Sequence, residues 1–540
     1  MLAHDICTIA VNQIGYPARA AKIACFTKAG EFRVVDAATG ETVFTGRTGG
    51  LADDPNSGVR VAQGDFTALS APGRYRIEMD GERSAEFEVS ERPYDALHRG
   101  LLKAFYYFRC GMDLDPEFAG RWAHGACHLS PAIVYDDPER RIDGRGGWHD
   151  AGDYGKYTVP GAKAVADLLL AYECYPDAFR RPVPIPETDG RAPDVLHECR
   201  YELDFLLKMQ DGASGGVHHK LTTLRFPPLN RKAEEDDGAL YVMPVSPTAT
   251  ADFAAVMAQA SRIYRPFDPA YADRCLAAAL RAWDWLERNP DAPGYRNPPD
   301  VFTGEYGDRR GDRDERYRAA AELYRATGGE AYHEAFRRLA KEEFDKFALG
   351  WADVGGYGTI AYLLNGRERA DAGLYDELLA GLRAEADRIA AIAAAEGYRV
   401  SLERKEYVWG SNMLVMNDAM LLLIAHRLHG EASWRAAALD QIHYLLGRNV
   451  LGVSFVTGFG ERAYRNPHYR PGVADGVDDP VPGFVSGGPN AGLHDECMRR
   501  RLQGKPPAQC YIDHQDSYAG NEVTIYWNSP AVFAVSAFVG

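Results

Sequence analysis

The sequence contains no run of 18 apolar residues, so it offers no candidate for a membrane-spanning helix. Residues 1–13 have neither a basic stretch nor a long apolar core and do not read as a signal peptide. As written, this predicts a cytoplasmic protein, or a secreted one whose leader has been removed. Cysteine is scarce. Nine are scattered over 540 residues, an odd number, which excludes a disulfide scaffold and leaves most of them as buried free thiols. Positive charge is also short. The 61 basic residues against 77 acidic ones leave a net charge of −16, which argues against nucleic acid, anionic lipid or any polyanion as the main partner. An uncharged or cationic partner stays compatible. No internal repeat of 20–50 residues is visible.

Hydrophobic residues make up 46% and charged residues 26%, the balance of a globular protein. At 540 residues the chain is too long for one core. Its first 90 or so residues carry short, partly alternating apolar segments such as Phe32–Val35, Arg74–Met79 and Ala85–Val89, separated by turn sequences. That pattern predicts a small β-sandwich over residues 1–92. From Ala96 the apolar spacing changes to three and four residues. Helices are predicted near Val159–Tyr175, Pro193–Met209, Thr248–Tyr264, Pro269–Arg288, Asp312–Thr327, Glu330–Phe347, Leu374–Ala395, Asn412–His429, Ser433–Leu446 and Thr524–Phe538. The fold class is therefore mainly α: a barrel of about a dozen helices over 93–540 behind a β-sandwich. The long irregular joints Asp211–Pro247 and Val450–Gln515 are the places where a site would be built.

Three segments carry chemistry. In Gly146–Tyr157, Asp150 and Asp153 are separated by Ala151 and Gly152, small residues that leave room for a ligand beside two carboxylates. A capped turn before the next helix is the plainer reading of the same residues. In Tyr511–Ser529, Glu522 opens an apolar, aromatic stretch. A carboxyl group in such surroundings has a raised pKa and suits a general acid. An ordinary glutamate at a helix N-terminus fits too. The third segment, Ser454–Arg470, ends on His468 and Arg470, which on their own could be surface residues of a loop.

Together the three segments resemble the family 9 glycoside hydrolases, the cellulase family built on an (α/α)6 barrel. The run Trp148–Asp153 is similar to that family's catalytic-base motif, Tyr511–Ser529 to its catalytic-acid motif, and Ser454–Arg470 to its histidine-arginine motif. The stretch Val11–Tyr16 resembles the immunoglobulin-like module that precedes the catalytic domain in one branch of the family. The resemblance implies inversion at the anomeric carbon. Asp153 would be the base that activates water, Asp150 would help hold that water, and Glu522 would protonate the leaving oxygen. Such an acid and base stand about 6.5–9.5 Å apart. Trp409, His468, Arg470 and Tyr518 match its substrate-contact motifs. Two departures, His468-Tyr469-Arg470 where His-His-Arg is common and Asp513-His514 where an acidic pair is common, bear on substrate preference.

Two metals are implied. Cys110, Cys127, His128 and His149 occur in the order of the family's structural zinc ligands, and two thiolates with two imidazoles make a closed tetrahedral site. Buried free thiols are the alternative. The segment Gly304–Glu315 with Asp353 resembles the family's calcium loop, and Asp314, Glu315 and Asp353 offer hard carboxylate ligands. A solvated charged loop is the alternative there.

The activity implied is that of an endo-1,4-β-glucanase acting on cellulose-type glucans and cello-oligosaccharides. An exo-β-glucosaminidase on chitosan oligomers and a catalytically inactive glycan-binding protein are the competing readings. The expected partner is a β-glucan or cello-oligosaccharide, bound by a monomer, with no nucleic acid and no membrane. With no separate carbohydrate-binding module visible, soluble glucans are expected to be attacked in preference to crystalline cellulose.

Overall fold

The computed structural model describes residues 5–307 and 310–539. Two sheets occupy the first 90 residues. One has the strand order Ile9–Ala10, Ile23–Phe26, Val59–Asp65, Ala52–Asp54, all antiparallel. The other runs Gly15–Pro17, Phe87–Ser90, Gly73–Met79, Glu31–Asp36, Thr42–Arg47, with Glu82–Arg83 beside Gly73–Met79 and a parallel pairing only between the first two. Along Gly73–Met79 the alternation is strict: Tyr75, Ile77 and Met79 point into the core, while Arg74, Arg76 and Glu78 face out. Phe26, Phe32, Phe66, Phe87 and Tyr16 fill the interior, and Tyr16 meets Phe66 edge-on at 5.2 Å.

The chain divides into two compact units, each described separately. The first gathers Met1–Ala104, Glu385–Gly472 and Val477–Gly540. Within it the Asn12-Gln13 pair reaches beyond the sandwich. The Asn12 side-chain amide donates to Tyr94 Oη at 3.1 Å and lies 2.9 Å from His443 Nδ1, and Gln13 donates to the Gly452 carbonyl at 2.9 Å. Helix Ser411–His429 packs on Ala432–Leu445 and on Ile525–Ser536. Thr524 starts the last of these by accepting from Trp527 N at 3.1 Å.

The second unit is Phe105–Ala384 with Val473–Gly476. Helix Pro247–Tyr264 lies against Thr158–Cys174, Pro269–Arg288 and Arg313–Thr327. Ser246 and Asp268 cap two of them just before a proline, the arrangement that a helix start favours. Among the described residues no helix is long and apolar enough to cross a membrane.

Most helices fall where the apolar spacing puts them. Two differ. The helix expected over Glu330–Phe347 stops at Leu339. Helix Gly355–Leu364 was not among those expected, and its Gly355, Gly356 and Gly358 are poor helix formers. Packing supplies what propensity lacks. A Cβ on Gly356 would lie 2.6 Å from the Ala348 carbonyl, and one on Gly358 would lie 2.6 Å from the Tyr317 ring and 3.0 Å from Arg318 Cα. The second unit also contains a sheet of five short strands, ordered Asp137–Ile142, Ala132–Val134, Tyr241–Val242, Lys220–Thr222, Lys156–Tyr157. Four of the five have only two or three residues, too few to leave a periodic trace in a sequence.

Gly358→Ala is expected to destabilise the protein by about 1–3 kcal/mol, since the new methyl group meets backbone as well as a ring. Chemical denaturation against the wild type measures it. An unchanged midpoint would contradict this packing argument.

Candidate active site

In the second unit, the run Trp148–Asp153 has no regular structure and is held by its neighbours. Residues 108–110 and 147–149 pair as short antiparallel backbone: Cys110 N donates to the Gly147 carbonyl at 2.8 Å and His149 N to the Phe108 carbonyl at 2.7 Å. Trp148 is buried, its indole N–H on Glu198 Oε1 at 2.8 Å and its backbone N–H on Glu202 Oε2 at 2.6 Å. The guanidinium of Arg109, itself wholly buried, grips Glu198 through two 2.9 Å bonds and Glu187 through two more.

This frame sets both aspartates. Asp150 and Asp153 are almost fully buried, at 2% and 5% exposure. The Tyr306 hydroxyl donates to Asp150 Oδ2 at 2.6 Å. The Tyr157 hydroxyl and Gly155 N–H both donate to Asp153 Oδ2, at 3.1 and 3.0 Å. Gly155 has to be glycine here, because a Cβ would stand 2.7 Å from that same carboxylate oxygen. Burial, then the nearby carboxylates, push the Tyr157 phenol well above its ordinary pKa, so it remains a donor. Tyr157, Tyr306 and Gly155 were not singled out from the sequence. Tyr306 lies in the segment expected to bind calcium, and only the folded loop brings it to Asp150.

The four expected zinc ligands come together. Cys110, Cys127, His128 and His149 are all buried, and one donor atom from each lies within 4.8 Å of the others. His128 has a left-handed backbone (φ 52°), its Nε2 is 3.2 Å from Asp236, and its Nδ1 is buried without a hydrogen-bond partner. The adjacent Cys127 thiol, assisted by Lys156 and His149, holds the Cys110 thiol well below its ordinary pKa, in the thiolate form that a metal takes. An orphaned imidazole nitrogen beside two thiols in a closed pocket fits a metal-binding group.

The calcium candidates are placed differently. Asp314 and Glu315 lie side by side and buried, Glu315 Oε2 has no hydrogen-bond partner, and burial followed by repulsion from Asp314 pushes Glu315 well above its ordinary pKa. Asp353 pairs instead with Arg310 at 2.6 Å. Among the described residues the three do not form a group close enough to share one ion, whereas the Cys/His quartet does. Asp308 and Arg309 of this loop lie outside the described residues.

In the first unit, Glu522 is half-buried just before helix Ile525–Ser536. Its backbone is fixed on two sides: His468 N donates to the Asn521 carbonyl at 2.9 Å, and Gly487 N donates to the Glu522 carbonyl at 3.1 Å. Asp513 accepts from Arg465 N and Asn466 N, each at 2.8 Å, and from Asn521 Nδ2 at 3.1 Å, so it braces the turn under the acid motif. His468 is 2.6 Å from the Gln515 carbonyl through Nδ1, and burial pushes its pKa down to about 4. Arg470 is buried. Trp409 and Tyr518 are the exposed members, at 44% and 37% exposure, with ring centroids 5.3 Å apart. His494 extends this surface 6.2 Å from Trp409, and its carbonyl accepts the Tyr518 hydroxyl. His494 carried no motif signal of its own.

Residues 94–535 match the profile of glycosyl hydrolase family 9, and residues 7–84 match the cellulase N-terminal ig-like domain. The chain is 40% identical over 550 residues to a cellodextrinase of Butyrivibrio fibrisolvens, covering 98% of this chain and 99% of that one. Its structure is similar to that of a single mutant of the thermostable endoglucanase from Alicyclobacillus acidocaldarius, with a TM-score of 0.93, 42% identity, and coverage of 98% and 99%. It is also similar to a Zn-binding triple mutant of the family 9 endoglucanase J30, with a TM-score of 0.91, 36% identity, and coverage of 97% and 100%. A mainly α fold with an (α/α)6 barrel behind an immunoglobulin-like β-sandwich, matching over nearly its whole length, places the chain in glycosyl hydrolase family 9 as a glycoside hydrolase of the cellulase type.

Proposed function

We propose that this enzyme hydrolyses β-1,4-glucosidic bonds with inversion and that short soluble cello-oligosaccharides are its preferred substrates. The observation that carries the mechanism is the pair Asp150 and Asp153, nearly buried and each accepting a tyrosine hydroxyl. Two donors on Asp153 Oδ2 favour the carboxylate form, which a general base needs. Asp153 takes a proton from the water that attacks the anomeric carbon. Asp150, oriented by Tyr306, holds that water. Glu522 gives its proton to the departing glycosidic oxygen, and exchange with solvent restores both groups. The exposed faces of Trp409 and Tyr518, with His494, suit stacking against the apolar faces of sugar rings, and Arg470 and a neutral His468 supply hydrogen bonds. Similarity to a cellodextrinase along the full chain supports short substrates. In this reading residues 1–92 form the immunoglobulin-like module and residues 93–540 the catalytic domain.

We also infer that Cys110, Cys127, His128 and His149 hold a structural zinc ion. Zinc bound there would cross-link the 108–110 and 147–149 backbones through its ligands and steady Asp150, the residue after His149. Calcium at Asp314 and Glu315, without Asp353, would relieve the repulsion between two adjacent buried carboxyl groups.

Glu522→Gln and Asp153→Asn should each lower kcat on cellotetraose by about a hundredfold or more while leaving thermal unfolding unchanged. A folded variant with near wild-type turnover would remove that residue from its role. Proton NMR of the first product formed should show the α-anomer; initial β-anomer would overturn inversion. Elemental analysis should find one zinc per chain, reduced in Cys110→Ser together with a lower melting temperature. Zinc-free wild type of full stability would refute the zinc assignment.

A further inference from the structure

Lys220 is wholly buried, yet among the described residues no carboxylate forms an ion pair with its ammonium group. Its three acceptors are neutral: Asn297 Oδ1 at 2.7 Å, Thr303 Oγ1 at 3.2 Å and the Gly304 carbonyl at 2.5 Å. A buried charge with only neutral partners is an expensive way to fill space, and an apolar side chain of similar length would fill it more cheaply. Something other than packing must favour the lysine.

The surroundings show what the ammonium group holds. Lys220 stands directly opposite Tyr157 in the antiparallel pair Lys156–Tyr157 and Lys220–Thr222. All three acceptors belong to the loop that ends on Tyr306. Asn297 also donates to the Thr303 carbonyl at 2.8 Å and accepts from the Tyr295 hydroxyl at 3.1 Å, so the lysine is the side-chain link from the strand to a loop that a backbone bond from Phe302 N to the Leu224 carbonyl, at 2.8 Å, also ties. The next residues of that loop pack on the base. A Cβ on Gly304 would stand 3.2 Å from the Tyr157 hydroxyl. Tyr306, at φ 46°, lies edge-on to Tyr157 at 4.8 Å and donates to Asp150. His219, beside Lys220, adds a second tie, with Nε2 2.9 Å from the Glu305 carbonyl and its ring stacked on Tyr295 at 3.8 Å.

We propose that Lys220 is a positioning residue for the general base: it pins the 297–306 loop to the strand carrying Tyr157 and so fixes the two tyrosine hydroxyls that orient Asp150 and Asp153. The groups facing the ammonium are Asp153 from the base loop, Tyr157 from the paired strand, and Tyr295 and Glu305 from the pinned loop, with His219 next in sequence. Asp153 and Glu305 are the negative charges among them. The ammonium group therefore also favours the ionised form of Asp153. Burial, opposed by those two carboxylates, pushes Lys220 down to about 7.

The inference rests on Asp153 being the base, and the test separates the two. In the full-length protein, Lys220→Met, Lys220→Arg, Asn297→Ala and Asp153→Asn are compared for thermal unfolding, kcat, KM and the pH dependence of kcat/KM on cellotetraose. Lys220→Met is expected to lose roughly tenfold to a hundredfold in kcat with KM little changed, and to move the acidic limb of the profile up by about one pH unit. Lys220→Arg should recover part of kcat. Asn297→Ala, which leaves the lysine but removes an acceptor, should show a smaller loss of kcat at constant KM, and it serves as the deciding variant if Lys220→Met does not fold. Unchanged kcat and an unmoved acidic limb in a folded Lys220→Met overturn the proposal, as does unchanged kcat in Asn297→Ala should that become the deciding variant. An active Asp153→Asn overturns instead the assignment of the base.

Discussion

The buried guanidinium of Arg109 is the fixed point of the Trp148–Asp153 run. It pairs with Glu198 and Glu187, and Glu198 in turn receives the Trp148 indole, so one cation holds down the first residue of the run that ends in Asp153. Its own backbone lies between Phe108 and Cys110, which bond to His149 and Gly147. Tyr201 and Tyr106 cover its face at 4.4 and 5.2 Å. Breaking such a buried pair from one side costs about 3–5 kcal/mol, because the remaining charge has nowhere to go. A loop of irregular backbone can therefore be as rigid as a helix. Rigidity is what a base needs when it must aim a water at one carbon atom.

The two carboxylate motifs solve the same problem with different materials. Around Asp150 and Asp153 the anchors are charges and thiols, deep in the protein. Around Glu522 they are backbone bonds: Glu522 sits in a strand-like pairing with the 468 and 486–487 segments, braced by Asp513. The departure from an acidic pair at Asp513-His514 thus leaves the bracing carboxylate in place. Beside this motif, Trp409 and Tyr518 keep aromatic surface exposed where a sugar ring could use it.

Much of this was legible in the sequence, for reasons that differ from residue to residue. Long helices such as Pro269–Arg288 announce themselves through period and capping, and the apolar spacing placed it to the residue. Glycines in Gly355–Leu364 concealed a helix, because their value lies in what Tyr317 and Ala348 leave no room for, and that is a property of the neighbours. The aspartates, the glutamate and the Cys/His quartet sit inside motifs and could be named early. Tyr157, Tyr306, Lys220 and His494 could not. Their roles depend on which loop returns to which strand, and the sequence separations of 4 to 156 residues carry no local signal. Asp353 was read as a metal ligand, and it is drawn to Arg310, a nearby cation that spacing alone does not weigh.

His468 has one more consequence. Buried with a pKa near 4, it keeps a single electrical state from neutrality down to strongly acid solution, and His219 and His98 do the same at about 3 and 4. These imidazoles act as fixed dipoles. They contribute no step of their own to a titration of catalysis between pH 5 and pH 8. Protons entering or leaving the Glu522 motif over that interval do so at groups other than His468.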